Sequence, residues 1–136
     1  MSRREDQRGA AALEFALGLP VFLLLVFAIM EYGWLMFSQH SIEAAARDGC
    51  RSGAVVGPQE SAPTDPSIQR AHAVIDAAIG GSCDGAGCEV TVSIEGDRPN
   101  QVLVCDVARD YTPLIGLLPT PARLTANASD WLEVQR

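Results

Sequence analysis

The sequence predicts an α+β protein. A long N-terminal transmembrane helix continues into a small domain with one short helix and a roughly three-stranded antiparallel sheet. Three observations predict it: an apolar run, almost unbroken from Phe15 to Met30 and resumed at Tyr32–Phe37; a capped amphipathic stretch after Asp65-Pro66; and alternating apolar residues in the C-terminal third.

The apolar run sets the frame. At ~1.5 Å per residue, a helix over Ala10–Phe37 exceeds the ~30 Å of a bilayer core. The run is too long for a secretory h-region, and Glu31 with the aromatics after it separates the run from Ala44-Ala45-Ala46, so a retained helix is expected and not a cleaved secretory signal. Pro20 lies inside and removes one backbone hydrogen bond, allowing a kink. Tyr32 and Trp34 suit the outer membrane surface, and Glu31 is expected at that boundary, reaching water. Glu14 is the anomaly, since a carboxylate near the start of such a helix is costly in hydrocarbon. Arg3, Arg4 and Arg8 precede the run, which places the N-terminus in the cytoplasm and the remainder outside.

Past the membrane, Ile42, Ala45, Ala46, Gly49 and Gly53 make a small-residue stripe suited to close packing on a sheet or helix, with Glu43 and Arg47 as an i,i+4 pair. Gly53 and Gly57-Pro58 are expected to end this helix, and 57–66 is expected to be a loop. Asp65 as N-cap and Pro66 at the first helical position start the short helix. Its apolar face is Ile68, Ala71, Ile75, Ala78 and Ile79, with His72 at the edge, and Gly80-Gly81 stops it. Glu89–Glu95 alternates as a half-buried strand. Gly96–Asn100 turns the chain into Gln101–Tyr111, a central strand by its apolar content on both faces. Thr112–Pro121 is a proline-bounded apolar connection, and Leu124, Ala126, Ala128, Leu132 and Val134 alternate in a last strand.

The chain carries a net charge of −7, concentrated beyond Phe37. Such a balance disfavours nucleic acid, whose phosphates demand basic residues. No catalytic set stands out, and an enzyme is not expected. His40 and His72 are the two histidines. Asp106 and Asp110 share a strand face but read as solvated carboxylates. Gly80-Gly81 with Gly85 and Gly87 lacks the lysine of a phosphate loop, and Asn127-Ala128-Ser129 is a glycosylation-type triplet of low specificity. The four cysteines Cys50, Cys83, Cys88 and Cys105, in a small exported domain, suggest disulfides before metal. Cys83 with Cys88 would close a small loop and Cys50 with Cys105 would join helix to sheet, but three pairings are open. No cofactor and no metal is expected.

The most specific pattern is Gly9, Glu14 as the fifth residue after it, Phe15, and the apolar helix. It resembles the cleavage motif of type IV-like prepilins, which a membrane aspartyl prepilin peptidase cuts after the glycine. Arg8–Pro20, Glu31-Tyr32-Gly33, Ala44–Gly49 and the late Asp110–Leu114 are similar to the TadE/TadG-like pseudopilins of the Flp (tight adherence) pilus system, strongly over residues 8–53 and more weakly beyond. The resemblance implies a pilin-like fold with a leader at 1–9, a long helix at 10–53 (membrane part about 10–37), and an extracytoplasmic α+β domain at 54–136. It implies cleavage between Gly9 and Ala10 and assembly registry through Glu14 and Phe15. The new amine at Ala10 lies one helical turn from Glu14, and opposite charges within ~4–6 Å stabilise each other. The implied function is that of a minor pseudopilin assisting assembly, initiation or capping of a pilus or secretion pseudopilus, because major Flp pilins are essentially the helix alone. Its partners would be the prepilin peptidase, other pilins or pseudopilins, the inner-membrane assembly platform and membrane lipid, with a bacterial inner-membrane location before incorporation into a surface fibre. The alternative is an uncleaved, single-pass, membrane-anchored extracytoplasmic binding module.

Overall fold

The computed structural model describes residues 3–56, 65–80, 83, 87–97 and 100–132, with side chains from residue 11 onward. It contains α1 (Arg3–Val56), α2 (Pro66–Ile79), β1 (Cys88–Glu95), β2 (Val102–Asp110) and β3 (Arg123–Trp131). The described chain divides into two compact units. One comprises α1 through Leu35 with Pro113–Thr120, and the other comprises Met36–Thr112 with the chain from Pro121.

Two bounds of α1 differ from the sequence reading. The helix starts at Arg3, inside the expected leader, and it runs past Gly53 to Val56. Gly53 stays helical because its missing Cβ serves packing and not termination. A Cβ there would lie 2.6 Å from the Ser67 carbonyl oxygen and 2.6 Å from Leu103 Cδ2. Pro20 sits within the helix, which is assigned as continuous through it. The expected loop at 57–64 lies outside the described residues.

In the second unit, the expected stripe of Ile42, Ala45, Ala46, Gly49 and Gly53 on α1 is buried, with Cys50 and Ala54 buried beside it. Gly49 and Gly53 let α2 approach: their missing Cβ atoms would collide with Ile75 and with Ser67. Asp65 caps α2 by accepting from the Ser67 backbone N–H at 2.9 Å and from the Ser67 hydroxyl at 2.7 Å. Gly80 closes the helix in the left-handed region at φ 91°, its N–H bonded to the Asp76 carbonyl. The buried face of α2 is Ser67, Ile68, Ala71 and Ile75. Ala78, expected on that face, is exposed, and Ile79 is only half-buried. The fully buried positions end at Ile75, opposite Gly49 of α1.

The sheet has order β1-β2-β3, antiparallel throughout, with β2 central as expected. The register pairs Val92 with Cys105 and Cys105 with Ala128, and Val90 with Val107 and Val107 with Ala126. These residues share one face with Ile94, Leu103 and Leu124. The other face carries Thr91, Asp106, Thr125 and Asn127, all exposed. Gly96, at φ 87°, makes the β1–β2 turn, which Asn100 N–H closes onto the Asp97 carbonyl at 2.8 Å.

Both disulfides form along the two pairs the sequence suggested. Cys50 joins Cys105, tying α1 to β2, and Cys83 joins Cys88. Cys50 and Cys105 are 1% and 0% exposed, so the first bond lies within the core.

Candidate functional site: the N-terminal helix and the Glu31 clasp

The helix segment from residue 11 to Met30 is apolar apart from Glu14, and the rest of the chain covers only part of its C-terminal turns. None of its residues is buried. Phe15, Leu17, Val21 and Leu24 are each more than three-fifths exposed. A water-soluble fold hides such residues, so this surface requires either lipid or other helices. Glu14 is exposed on the same segment, next to Phe15. The side chains of Gly9 and Ala10 lie outside the described residues; their backbone is helical.

Glu31 departs from the sequence reading. It does not reach water; it is 1% exposed. Its carboxylate accepts three backbone hydrogen bonds, from Leu114 N–H at 3.0 Å, Ile115 N–H at 2.8 Å and Gly116 N–H at 3.2 Å. These successive N–H groups belong to the proline-bounded apolar connection, and they converge on the anion in the manner of a backbone nest. Gly116, at φ 75°, supplies the left-handed turn that such convergence needs. Bonds to an ionised acceptor are roughly twice as strong as neutral ones, which offsets the cost of burying the charge. Around this clasp, Leu24, Phe27, Ala28, Ile115, Leu117 and Leu118 line an apolar cleft of about 140 Å³ with Glu31. Two features could have signalled it in sequence: one acid inside an apolar run, and an apolar Pro–Pro segment whose backbone donors need an acceptor.

Beyond Glu31, Tyr32 and Trp34 are 43% and 42% exposed, consistent with rings at a membrane surface. Within the second unit, His40 is exposed, with Nδ1 3.8 Å from Glu43 Oε2, and Arg47 makes the expected i,i+4 pair with Glu43 at 3.5 Å. The Gln39 amide donates to Glu43 at 3.0 Å and, with Arg47 and His40 nearby, holds that carboxyl below its ordinary pKa. The same amide also bonds the Thr125 carbonyl at 3.0 Å, pinning α1 to β3.

The remaining candidates are dispersed. His72 is half-buried on α2. Asp106 and Asp110 are exposed; Asp106 accepts from the Asn127 side-chain amide at 2.6 Å, so it is engaged across the strands. Arg123 bridges to Glu89 at 2.8 Å on the sheet surface. Among the described residues, no cluster of three or more His, Cys, Asp or Glu side chains is placed to hold a metal ion.

An apolar helix long enough to cross a bilayer, carried by a chain that also folds a disulfide-bonded α+β unit, is compatible with a single-span membrane protein. Residues 9–51, about a third of the chain, are similar to the TadE-like protein family. The match begins at Gly9 and includes Glu14, Pro20, Glu31 and Cys50, whereas the connection clasped by Glu31 lies outside it. No curated protein and no solved structure matches the chain.

Proposed function

We propose that the chain is a minor pseudopilin of a Tad-type pilus or related secretion pseudopilus, cleaved after Gly9 by a prepilin peptidase. The observation that carries this reading is the match starting at Gly9 with Glu14 as the fifth residue beyond it. The chemistry supports it. Cleavage would generate an amine at Ala10, and Glu14 would pair with that amine or with a neighbouring subunit's, fixing the axial register of each incoming copy. The exposed helix surface is the kind of face a helical bundle buries, and Phe15 lies on it beside Glu14. The α+β unit, far larger than a fibre-forming helix requires, fits an initiating or capping subunit.

The test is incorporation. Glu14→Gln keeps size and hydrogen bonding but removes the charge, and it should leave the protein in the membrane while depleting it from sheared fibre fractions. Normal incorporation of Glu14→Gln would remove the registry role. An uncleaved anchor bearing a binding module would never enter the fibre fraction at all, in either form.

A further inference from the structure

The clasped connection has the composition of a lipid-facing element. From Thr112 to Ala122 it carries no charged residue, while Asp110 and Arg123 flank it. Leu114 and Leu117 remain 53% and 72% exposed although the loop is fixed to the helix. Leu117 lines one cleft with Leu24, itself 63% exposed, on the segment whose length and hydropathy suit a membrane. The loop thus extends an already uncovered apolar surface.

Backbone polarity decides what such a loop can do in lipid. Irregular chain is excluded from hydrocarbon unless its N–H and C=O groups find partners within the protein. Leu114, Ile115 and Gly116 give their N–H groups to Glu31, and the carboxylate in turn is satisfied without water. Each side makes the other tolerable at that depth.

We propose that Pro113–Thr120 is a lipid-inserted loop, docked on α1 through Glu31 and seated among the acyl chains of the outer leaflet. Its partner is lipid, not a second protein. The cleft beneath it runs from Glu31 down to Leu24, seven residues along the helix, or ~10 Å of depth. That matches the shallow burial of interfacial elements, and a helix entering near residue 10 brings Glu31 to the far edge of the hydrocarbon. The loop gives the chain a second apolar contact with the bilayer beside its helix, resisting rotation and tilt of the span. This inference rests on the reading that α1 spans a membrane, and not on cleavage at Gly9.

The test uses the full chain, with its disulfides intact, in vesicles of phosphatidylethanolamine and phosphatidylglycerol. An environment-sensitive fluorophore is attached at Leu117→Cys or, as control, at Leu24→Cys, and quenched with lipids bearing nitroxides at headgroup or acyl depth. The expected result is a blue-shifted emission at 117, quenched by the shallow acyl nitroxide. In the Glu31→Gln background the probe at 117 should lose part of that quenching. A probe at 117 with water-like emission and no quenching, beside a quenched probe at 24, overturns the inserted loop alone. If neither probe is quenched, the membrane span itself fails, and the inference falls with it. Cross-linking between copies at 117 without lipid quenching also overturns it, in favour of a subunit interface. Undiminished quenching in Glu31→Gln would overturn the role of the clasp.

Discussion

Replacing Gly53 by Ala isolates how α1 packs into the second unit. In an open helix the change would stabilise, since Ala is favoured over Gly by about 1 kcal/mol. Here the new Cβ would lie 2.6 Å from the Ser67 carbonyl oxygen, 2.6 Å from Leu103 Cδ2 and 3.0 Å from Ala71 Cβ. An ordinary carbon–oxygen contact begins near ~3.3 Å, so about 0.7 Å must be found against α2 backbone. That backbone is held by the Asp65 cap on Ser67 and cannot give way locally. Leu103 is 0% exposed and has no room to retreat. Overpacking costs roughly 1–3 kcal/mol, and three contacts at 3.0 Å or less, one of them with backbone, put this case in the upper half, roughly 2–3 kcal/mol, which outweighs the propensity gain. A net loss of about 1–2 kcal/mol is expected, or about 4–8 °C of Tm per kcal/mol in a domain of this size. The assay is thermal unfolding of the full chain in detergent, with the disulfides oxidised. Gly33→Ala is the control, because a Cβ at Gly33 meets nothing within 4 Å, and it should not lower Tm. An unchanged or raised Tm for Gly53→Ala would refute the close approach of α1 and α2.

Further expectations follow from the disulfides and the clasp. The Cys50–Cys105 bond closes a separation of 55 residues and Cys83–Cys88 one of 5, so the chain-entropy model gives about 4 and about 2 kcal/mol respectively. The Cys50→Ser/Cys105→Ser pair should therefore lower Tm more than Cys83→Ser/Cys88→Ser, and the reverse order would contradict the entropic account. Glu31→Gln weakens three charge-assisted bonds, each worth ~1.5–3 kcal/mol when intact. Hydrogen exchange in detergent should speed up at Leu114, Ile115 and Gly116 by about tenfold or more. Unaltered exchange there would mean that the loop is held by other contacts.

What was legible in the sequence was local. The Asp65-Pro66 start of α2, the alternation of β1 and β3, and the central place of β2 each rest on neighbours within a few residues, and each appears in the fold. The stripe Ile42–Gly53 announced close packing because small residues at helical spacing have few other uses. The ends of α1 were less legible, because Gly53 carries the same letter whether it stops a helix or admits a neighbour, and only the position of Ser67 separates the two. The cysteine pairs were compatible with spacing but were not chosen by it. Glu31 was misread for a different reason. Its partners lie 83 to 85 residues away and are backbone donors, which leave no mark in side-chain pattern. Periodicity reports where a side chain points on its own element, and it says nothing of a distant loop whose amides require an anion.

The central claim is that this chain is processed as a prepilin, and the N-terminal residue of the mature protein tests it most directly. It is measured on protein extracted from membranes of cells with and without the prepilin peptidase. The account predicts a chain beginning at Ala10 when the peptidase is present, and a longer chain that retains the leader when it is absent. A chain that still begins ahead of Gly9 in peptidase-competent cells would contradict it and leave an uncleaved membrane anchor. A chain beginning near Asp48 would contradict it in another way, by making the long helix a discarded export signal.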